Sequence, residues 1–357
     1  MYKINKQAKN ILQYGFLACL ITVTTYLIVS TLDMKLLLKL VNVINYNYIY
    51  LGFALMFMYI FLEGYVLRLI TNCIHGSETK FLGYKIGIMG LYYNLVTPLA
   101  SGSQPVQIYE LTKSNVSTSK SVAIIANKTV IYQIIVTLYC GALMLVNFNI
   151  LKTTLKPVLI FICIGMVMNI LMLGFGFFIV YSPMKTKKLV NKVLRTLSKI
   201  KVLKFLENKE EQLNLFIDEY NYSITLFIKN KRALIKSVIL TFIQLTIYFS
   251  VTYCIYKSLR LSGASYFRMI SLQVFLYMAV SSIPTPGNVG ANEVAFFSIF
   301  AGIFSKGLMG YSVFLYGMFV YYFLLITCGI FTILSHGKVF SILKKYCNLN
   351  RYVSVAK

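Results

Sequence analysis

An all-α polytopic membrane protein is the fold this 357-residue sequence predicts, with about eight transmembrane segments that include two broken, re-entrant hairpins arranged as an inverted repeat. Three observations carry it. Apolar residues make up 58% of the chain and charged residues only 13%, too little polarity for a water-facing surface of this size. Several uncharged stretches reach the roughly 20 residues that cross a bilayer. Two stretches are interrupted by matching elements, Thr97-Pro98-Leu-Ala-Ser-Gly102 and Thr285-Pro286-Gly-Asn-Val-Gly290, both of the form T-P-x-x-x-G.

Taken in order, the spans are 11–31, 48–70, 81–98, 121–148, 157–181, 234–256, 266–284 with 291–304, and 309–334. The first follows Lys3, Lys6 and Lys9, but its apolar part is long and no small-x-small cleavage site follows, so it reads as a retained span rather than a signal peptide. The third stops at Thr97-Pro98, because Ser101, Ser103, Gln104, Gln107, Glu110, Thr112 and Lys113 are too polar to continue through lipid. Between 183 and 232 lies the one long polar insert, with twelve Lys or Arg against five acids, which the charge rule assigns to the cytoplasm. Its apolar spacing (Leu189, Val193, Leu194, Leu197, Ile200, then Leu213, Phe216, Ile217) fits amphipathic helices on the inner leaflet; a solvated connector is the alternative.

Parity then constrains the topology. With the N-terminus inside, a full crossing at 81–98 would put the basic insert outside. If that segment enters and returns on the cytoplasmic side, the insert falls inside, the second broken segment enters from outside, and the tail 335–357 with Lys338, Lys344, Lys345 and Arg351 is cytoplasmic. Residues 1–148 and 157–334 then form two units of opposite orientation within one integral membrane domain. Interrupted helices at corresponding positions of inverted halves mark a transporter-type site at the repeat interface.

The formal charge of +25 does not point to nucleic acid. Only six of the 35 basic residues are Arg, and most of the excess flanks apolar spans, so the anionic inner leaflet of a bacterial-type cell membrane is the expected partner. The seven cysteines lack a C-x-x-C pair and the two histidines, His75 and His336, sit at span ends, so neither a metal site nor a cofactor is expected. No phosphate-binding glycine loop of the G-x-x-x-x-G-K type occurs, and a 50-residue insert is small for a separate catalytic domain. The 28 tyrosines, with no tryptophan, read as interfacial anchors rather than as a binding box.

Ionisable residues at membrane depth are costly and are functional candidates by default. Glu63 and Arg68 share the second span, Lys128 follows Asn127 within 121–148, and Glu110 and Glu293 lie close to the two breaks. Mutual neutralisation is the plain alternative: Glu63 with Arg68, or Lys128 with a glutamate across the bundle. The candidate site comprises Lys128, Glu293, Arg68, Glu110, Asn94, Thr97, Gln104, Thr285 and Asn292, with the backbone breaks at Pro98, Gly102, Pro105, Pro284, Pro286, Gly287 and Gly290. Pro removes a backbone donor and Gly allows left-handed backbone, so these clusters should leave backbone polar groups free for contact.

The stretch from Asn94 through Thr97-Pro98, Gly102, Pro105 and Glu110 to Leu111, the basic Lys128 in the next span, and Pro284-Thr-Pro286-Gly287-Asn-Val-Gly290-Ala-Asn-Glu293 together resemble the transmembrane region of lysylphosphatidylglycerol synthases, the multiple peptide resistance factor family. The likeness covers essentially the whole chain. It departs at Leu99-Ala100, where a Gly-rich element is usual, and at Lys128, where relatives often carry Arg. The chain runs about twenty residues past the last span, so the resemblance implies a stand-alone, flippase-like form without the soluble transferase domain.

What it implies is a phospholipid translocase that moves aminoacylated phosphatidylglycerol such as lysyl-phosphatidylglycerol between leaflets, lowering surface negative charge and aiding resistance to cationic peptides. Lys128 and Arg68 would face phosphate, and Glu293 and Glu110 a cationic headgroup. Two other classes stay open: a phosphatidylglycerol lysyltransferase, or its membrane subunit working with a separate soluble synthase, and an exporter of polyprenyl-linked glycan precursors. With no ATP motif, movement would be downhill or ion-coupled.

Overall fold

The computed structural model describes residues 44–76, 81–97, 101–153, 155–197, 210–281, 283, 285 and 287–336. The expected first span at 11–31, the prolines Pro98, Pro284 and Pro286, and most of the tail lie outside the described residues. What is described is helical throughout, without strands, and five helical stretches are long and apolar enough to cross a membrane. The chain is an all-α polytopic membrane protein.

In chain order the helices are α1 (Tyr46–His75), α2 (Leu82–Val96), α3 (Ser103–Lys113), α4 (Thr118–Val146), α5 (Phe148–Thr153), α6 (Lys156–Tyr181), α7 (Pro183–Leu197), α8 (Glu210–Lys229), α9 (Lys231–Ser258), α10 (Tyr266–Val280), α11 (Ala291–Phe300), α12 (Lys306–Gly317) and α13 (Phe323–His336). A π-helical turn, Met318–Tyr322, joins the last two into one span. Helix starts are set by side-chain caps where the chain re-enters the bundle. Asn45, Ser117, Asn230 and Ser265 accept from the amides of Asn47, Lys120, Ala233 and Arg268, each answering one of the open donors of a first turn.

Two groups of contacts define the ends of the bundle. At one end α8 packs on α4 and α1, Ser117 donates to Glu219 at 2.8 Å, and Lys236 at the start of α9 donates to Tyr65 near the end of α1 at 2.9 Å. At the other, the Asn45 amide reaches the Ser258 carbonyl at 2.7 Å, and the Tyr256 and Phe304 rings meet at 6.0 Å. The α2–α3 pair therefore enters and returns at the insert end, between the end of α1 and the start of α4. The α10–α11 pair enters and returns at the opposite end, between α9 and α12. Helix, broken hairpin, helix occurs in both halves with its direction reversed, which is the inverted arrangement that the matched T-P-x-x-x-G elements anticipate.

The described parts of the insert, 183–197 and 210–232, are helical, and the second packs on the bundle. Helices α7 and α8 occupy the insert, α8 lies across α4 and α1, and Leu215, Tyr222 and Ile228 remain exposed on it. Hydrogen bonds from Ser119 and Ser117 hold the Glu219 carboxyl below the usual carboxylate range.

The first hairpin reaches the core because its helix is notched with glycine. A side chain on Gly83 would meet the Arg68 backbone at 2.5 Å, one on Gly87 would meet the Gly64 Cα at 2.9 Å, and one on Gly64 would meet the Tyr84 Cα at 2.7 Å. Without hydrophobic driving force between helices in lipid, such small-residue seams let backbones approach and supply the packing contacts.

Gly87→Leu should destabilise the protein by about 1–3 kcal/mol through overpacking. Gly174→Leu, at a site with no atom within 4 Å, should be neutral. Thermal unfolding in detergent reads the difference, and equal midpoints for the two variants would contradict the seam. Because the Glu219 carboxyl is held low, its contribution to insert docking is present above the unfolded carboxylate range and lost as pH falls through the folded value. Limited proteolysis of the insert should accelerate on acidification, and less so in Glu219→Gln.

Candidate functional site

The two breaks meet. A side chain on Gly287 would stand 2.9 Å from the Leu95 carbonyl oxygen, and Gly287, at φ +58, has the left-handed backbone that makes this approach possible. Around that contact lies a cavity of about 180 Å³. Asn94 and Leu95 from the end of α2 line one side, and Ser281, Gly287, Asn288 and Asn292 from the second break line another. Four tyrosines complete it: Tyr59 from α1, Tyr132 from α4, Tyr248 from α9 and Tyr277 from α10. The Tyr132 and Tyr277 hydroxyls are 2.8 Å apart, and the Tyr59 and Tyr248 rings lie 5.3 Å apart. The lining offers phenols, carboxamides and a serine, and no charged side chain.

The open backbone groups at each break are answered by specific side chains. Thr97 bridges the first: its hydroxyl donates to the Tyr93 carbonyl at 2.6 Å and accepts from the Gly102 amide at 2.9 Å. Glu293 closes the second, its carboxylate accepting from the Gly290 amide at 2.6 Å, with Gly290 at φ +82. A carboxylate in the first turn of α11 also suits the positive end of the helix dipole.

The charges sit one layer away. Lys128 of α4 forms an ion pair with Glu63 Oε1 of α1, and Gln244 of α9 donates to Glu63 Oε2 at 2.9 Å. Glu63 is only 4% exposed. Each member lies one helical turn from a cavity tyrosine on its own helix: Glu63 from Tyr59, Lys128 from Tyr132, Gln244 from Tyr248. A charged, hydrogen-bonded layer thus stacks directly on a tyrosine layer where α1, α4 and α9 pack together.

The other candidates fall elsewhere. Glu110 is buried near the insert end of the hairpin, 2.6 Å from Lys85 and 4.0 Å from Lys113. Arg68 has no ion pair among the described residues and does not line the cavity. Gln104 and Pro105 are exposed on α3, whereas Gln107, one turn on, is buried and reaches the Ile86 carbonyl at 3.4 Å. The Thr285 hydroxyl is buried without a hydrogen-bond partner, as is that of Tyr321, whose ring packs against Gly287. Of the sequence candidates, Asn94, Asn292 and Gly287 meet at the cavity, while Thr97, Glu293, Gly102 and Gly290 hold the breaks that shape it. Composition alone hid the role of Tyr59, Tyr132, Tyr248 and Tyr277, which line the cavity. Lys85 and Gln244 were also missed; one turn of spacing from a tyrosine on α9 was the signal available for Gln244.

The sequence matches the family model described as the lysylphosphatidylglycerol synthase TM region over residues 11–328. No curated protein and no solved structure matches it.

Lys128→Met should leave Glu63 as an uncompensated buried charge and cost about 3–5 kcal/mol, and Lys128→Met with Glu63→Gln should recover most of it. Unfolding midpoints in detergent test this; additive losses would mean that the two side chains do not form a pair.

Proposed function

Since the chain belongs to the lysylphosphatidylglycerol synthase transmembrane-region family, we propose that it is a phospholipid translocase that moves aminoacylated phosphatidylglycerol, such as lysyl-phosphatidylglycerol, between leaflets. Membership ties it to a membrane role related to lysylphosphatidylglycerol; the movement of lipid is the proposal. The observation that supports it is the convergence of two helix breaks, entered from opposite ends of the bundle, on one polar cavity. A headgroup crossing a bilayer needs hydrogen-bonding partners in place of water at every depth. The cavity provides them at the level where both hairpins end: the carboxamides of Asn94, Asn288 and Asn292, the Ser281 hydroxyl and four phenols.

Acyl chains need no such path, since they can stay among lipid tails while only the headgroup enters. The uncharged lining suits the glycerol and ester groups, and tyrosine faces attract an ammonium by cation–π interaction. An outer leaflet enriched in lysyl-phosphatidylglycerol carries less negative charge and attracts cationic peptides less, which is the physiological consequence of this reading. Synthesis of the lipid from lysyl-tRNA, by this chain or by a soluble partner, is the competing reading.

Proteoliposomes containing the purified full chain should redistribute fluorescent lysyl-phosphatidylglycerol between leaflets. Asn94→Leu and Asn292→Leu should each slow this by about tenfold, the loss of one or two neutral hydrogen bonds. Given lysyl-tRNA and phosphatidylglycerol, the same protein should make no lysyl-lipid. Lysyl-lipid formation by the chain, or redistribution no faster than in protein-free vesicles, would overturn the proposal.

A further inference from the structure

A phosphodiester brings a negative charge into a cavity whose lining has none, and Lys128, one helical turn from the lining residue Tyr132, is occupied by Glu63. We infer that Glu63 is a proton-binding site that controls Lys128, so that lipid movement is coupled to proton binding and release. The inference deepens the translocase reading and rests on it.

The chemistry follows from the two layers. With Glu63 ionised, its Oε1 holds the Lys128 ammonium and its Oε2 holds the Gln244 amide, and the charged layer is neutral. When Glu63 accepts one proton from water it becomes a neutral acid, and the Lys128 ammonium is left without a counter-charge at a depth where that is costly. Its flexible four-carbon stem lets the ammonium turn along α4 toward Tyr132, one turn away, where tyrosine faces and an entering phosphodiester both attract it. Loss of the proton restores the carboxylate, which reclaims Lys128 and releases the headgroup. One proton enters with one phosphodiester anion, which balances the phosphodiester alone; the lysyl ammonium groups of the headgroup bring their own positive charge.

The surroundings single out Glu63. Lys128 and Gln244 face it from α4 and α9, Cys328 of α13 and Tyr59 of its own helix lie near, and α2 presents Gly87 there. Lys85 on α2 is held by Glu110, and Glu219 on α8 by Ser117. Glu63 is thus the one carboxylate placed in this layer among the described residues. Both of its oxygens accept from nitrogen donors, so the layer lacks the several converging oxygens that a hard metal cation needs.

Two measurements on the full chain test it. Infrared difference spectra in nanodiscs, taken across a pH titration, should show a protonated carboxyl band that is absent in Glu63→Gln and retained, shifted, in Glu63→Asp. At fixed pH, short-chain phosphatidylglycerol should increase that band; glycerol 3-phosphate should not, since a lipid and not a free phosphate is the occupant. In proteoliposomes with an internal pH dye, native protein should take up protons as lipid moves and change rate about tenfold over a pH range in which Glu63→Gln changes less than about twofold. Absence of a Glu63-dependent band overturns the inference whether or not lipid moves. Lipid movement at a pH-independent rate without proton uptake also overturns it and leaves the translocase reading standing. A lipid-sensitive Glu63 band without lipid movement supports the proton site and removes the translocase reading.

Discussion

An open helix end cannot rest in hydrocarbon, and this chain places two of them inside its bundle. Each unsatisfied backbone amide or carbonyl there costs several kcal/mol, roughly the effect of a large core mutation. The protein answers the cost locally and mutually. Thr97 spans the first break and Glu293 the second, and Gly287 brings one break against the carbonyl end of the other. Neither hairpin could stop where it does without the other. Their opposite directions follow from the same need, because two ends meet head-on only if the hairpins enter from opposite faces.

A second constraint shapes what surrounds that cavity. A charge in the lining would be costly without a resident ligand, so the lining is neutral and the charges are held one turn back, where they neutralise each other. The i to i+4 relation on three helices makes this layering possible, since α4 and α9 run opposite to α1 and present their residues in register. Lys128 and Glu63 are a structural pair in this arrangement. The pair also keeps a cation in reserve beside a site that lacks one.

Much of this was legible in the residues. Among the described residues, apolar runs gave the spans to within a few positions, and parity against the basic insert required one hairpin to return, which the α2–α3 pair does at the insert end. The duplicated T-P-x-x-x-G elements lie beside residues that line the cavity, and the possibility that Lys128 is neutralised by a glutamate across the bundle was open from the start. Sequence could not choose between Arg68 and Lys128 as the partner of Glu63, because the choice depends on how α1 rotates against α4, and the glycine seam with α2 bears on that rotation. Periodicity also misleads at single polar residues: Gln104 and Gln107 look alike in the chain, yet one is exposed and the other buried by one helical turn. Tyrosines were the largest gap. Their number suggested anchoring, and only three-dimensional placement shows that four of them, from four helices, face one space.

The last span carries a related lesson about local irregularity. Its π turn at Met318–Tyr322 inserts extra length where the span passes the second break. In a regular helix, neighbouring residues point about 100° apart, so Val320 and Tyr321 would serve different faces. Here Val320 and Leu324 border the cavity, while the Tyr321 ring packs against Gly287 and its hydroxyl remains without a partner. Wide turns of this kind are uncommon and concentrate at functional sites. The irregular turn, the left-handed glycine and the unanswered hydroxyl of a residue only 5% exposed lie together at the second break. The first break, in contrast, is closed by a complete threonine bridge. Among the described residues, the buried hydroxyls without a partner beside the cavity, Thr285 and Tyr321, lie at the second break.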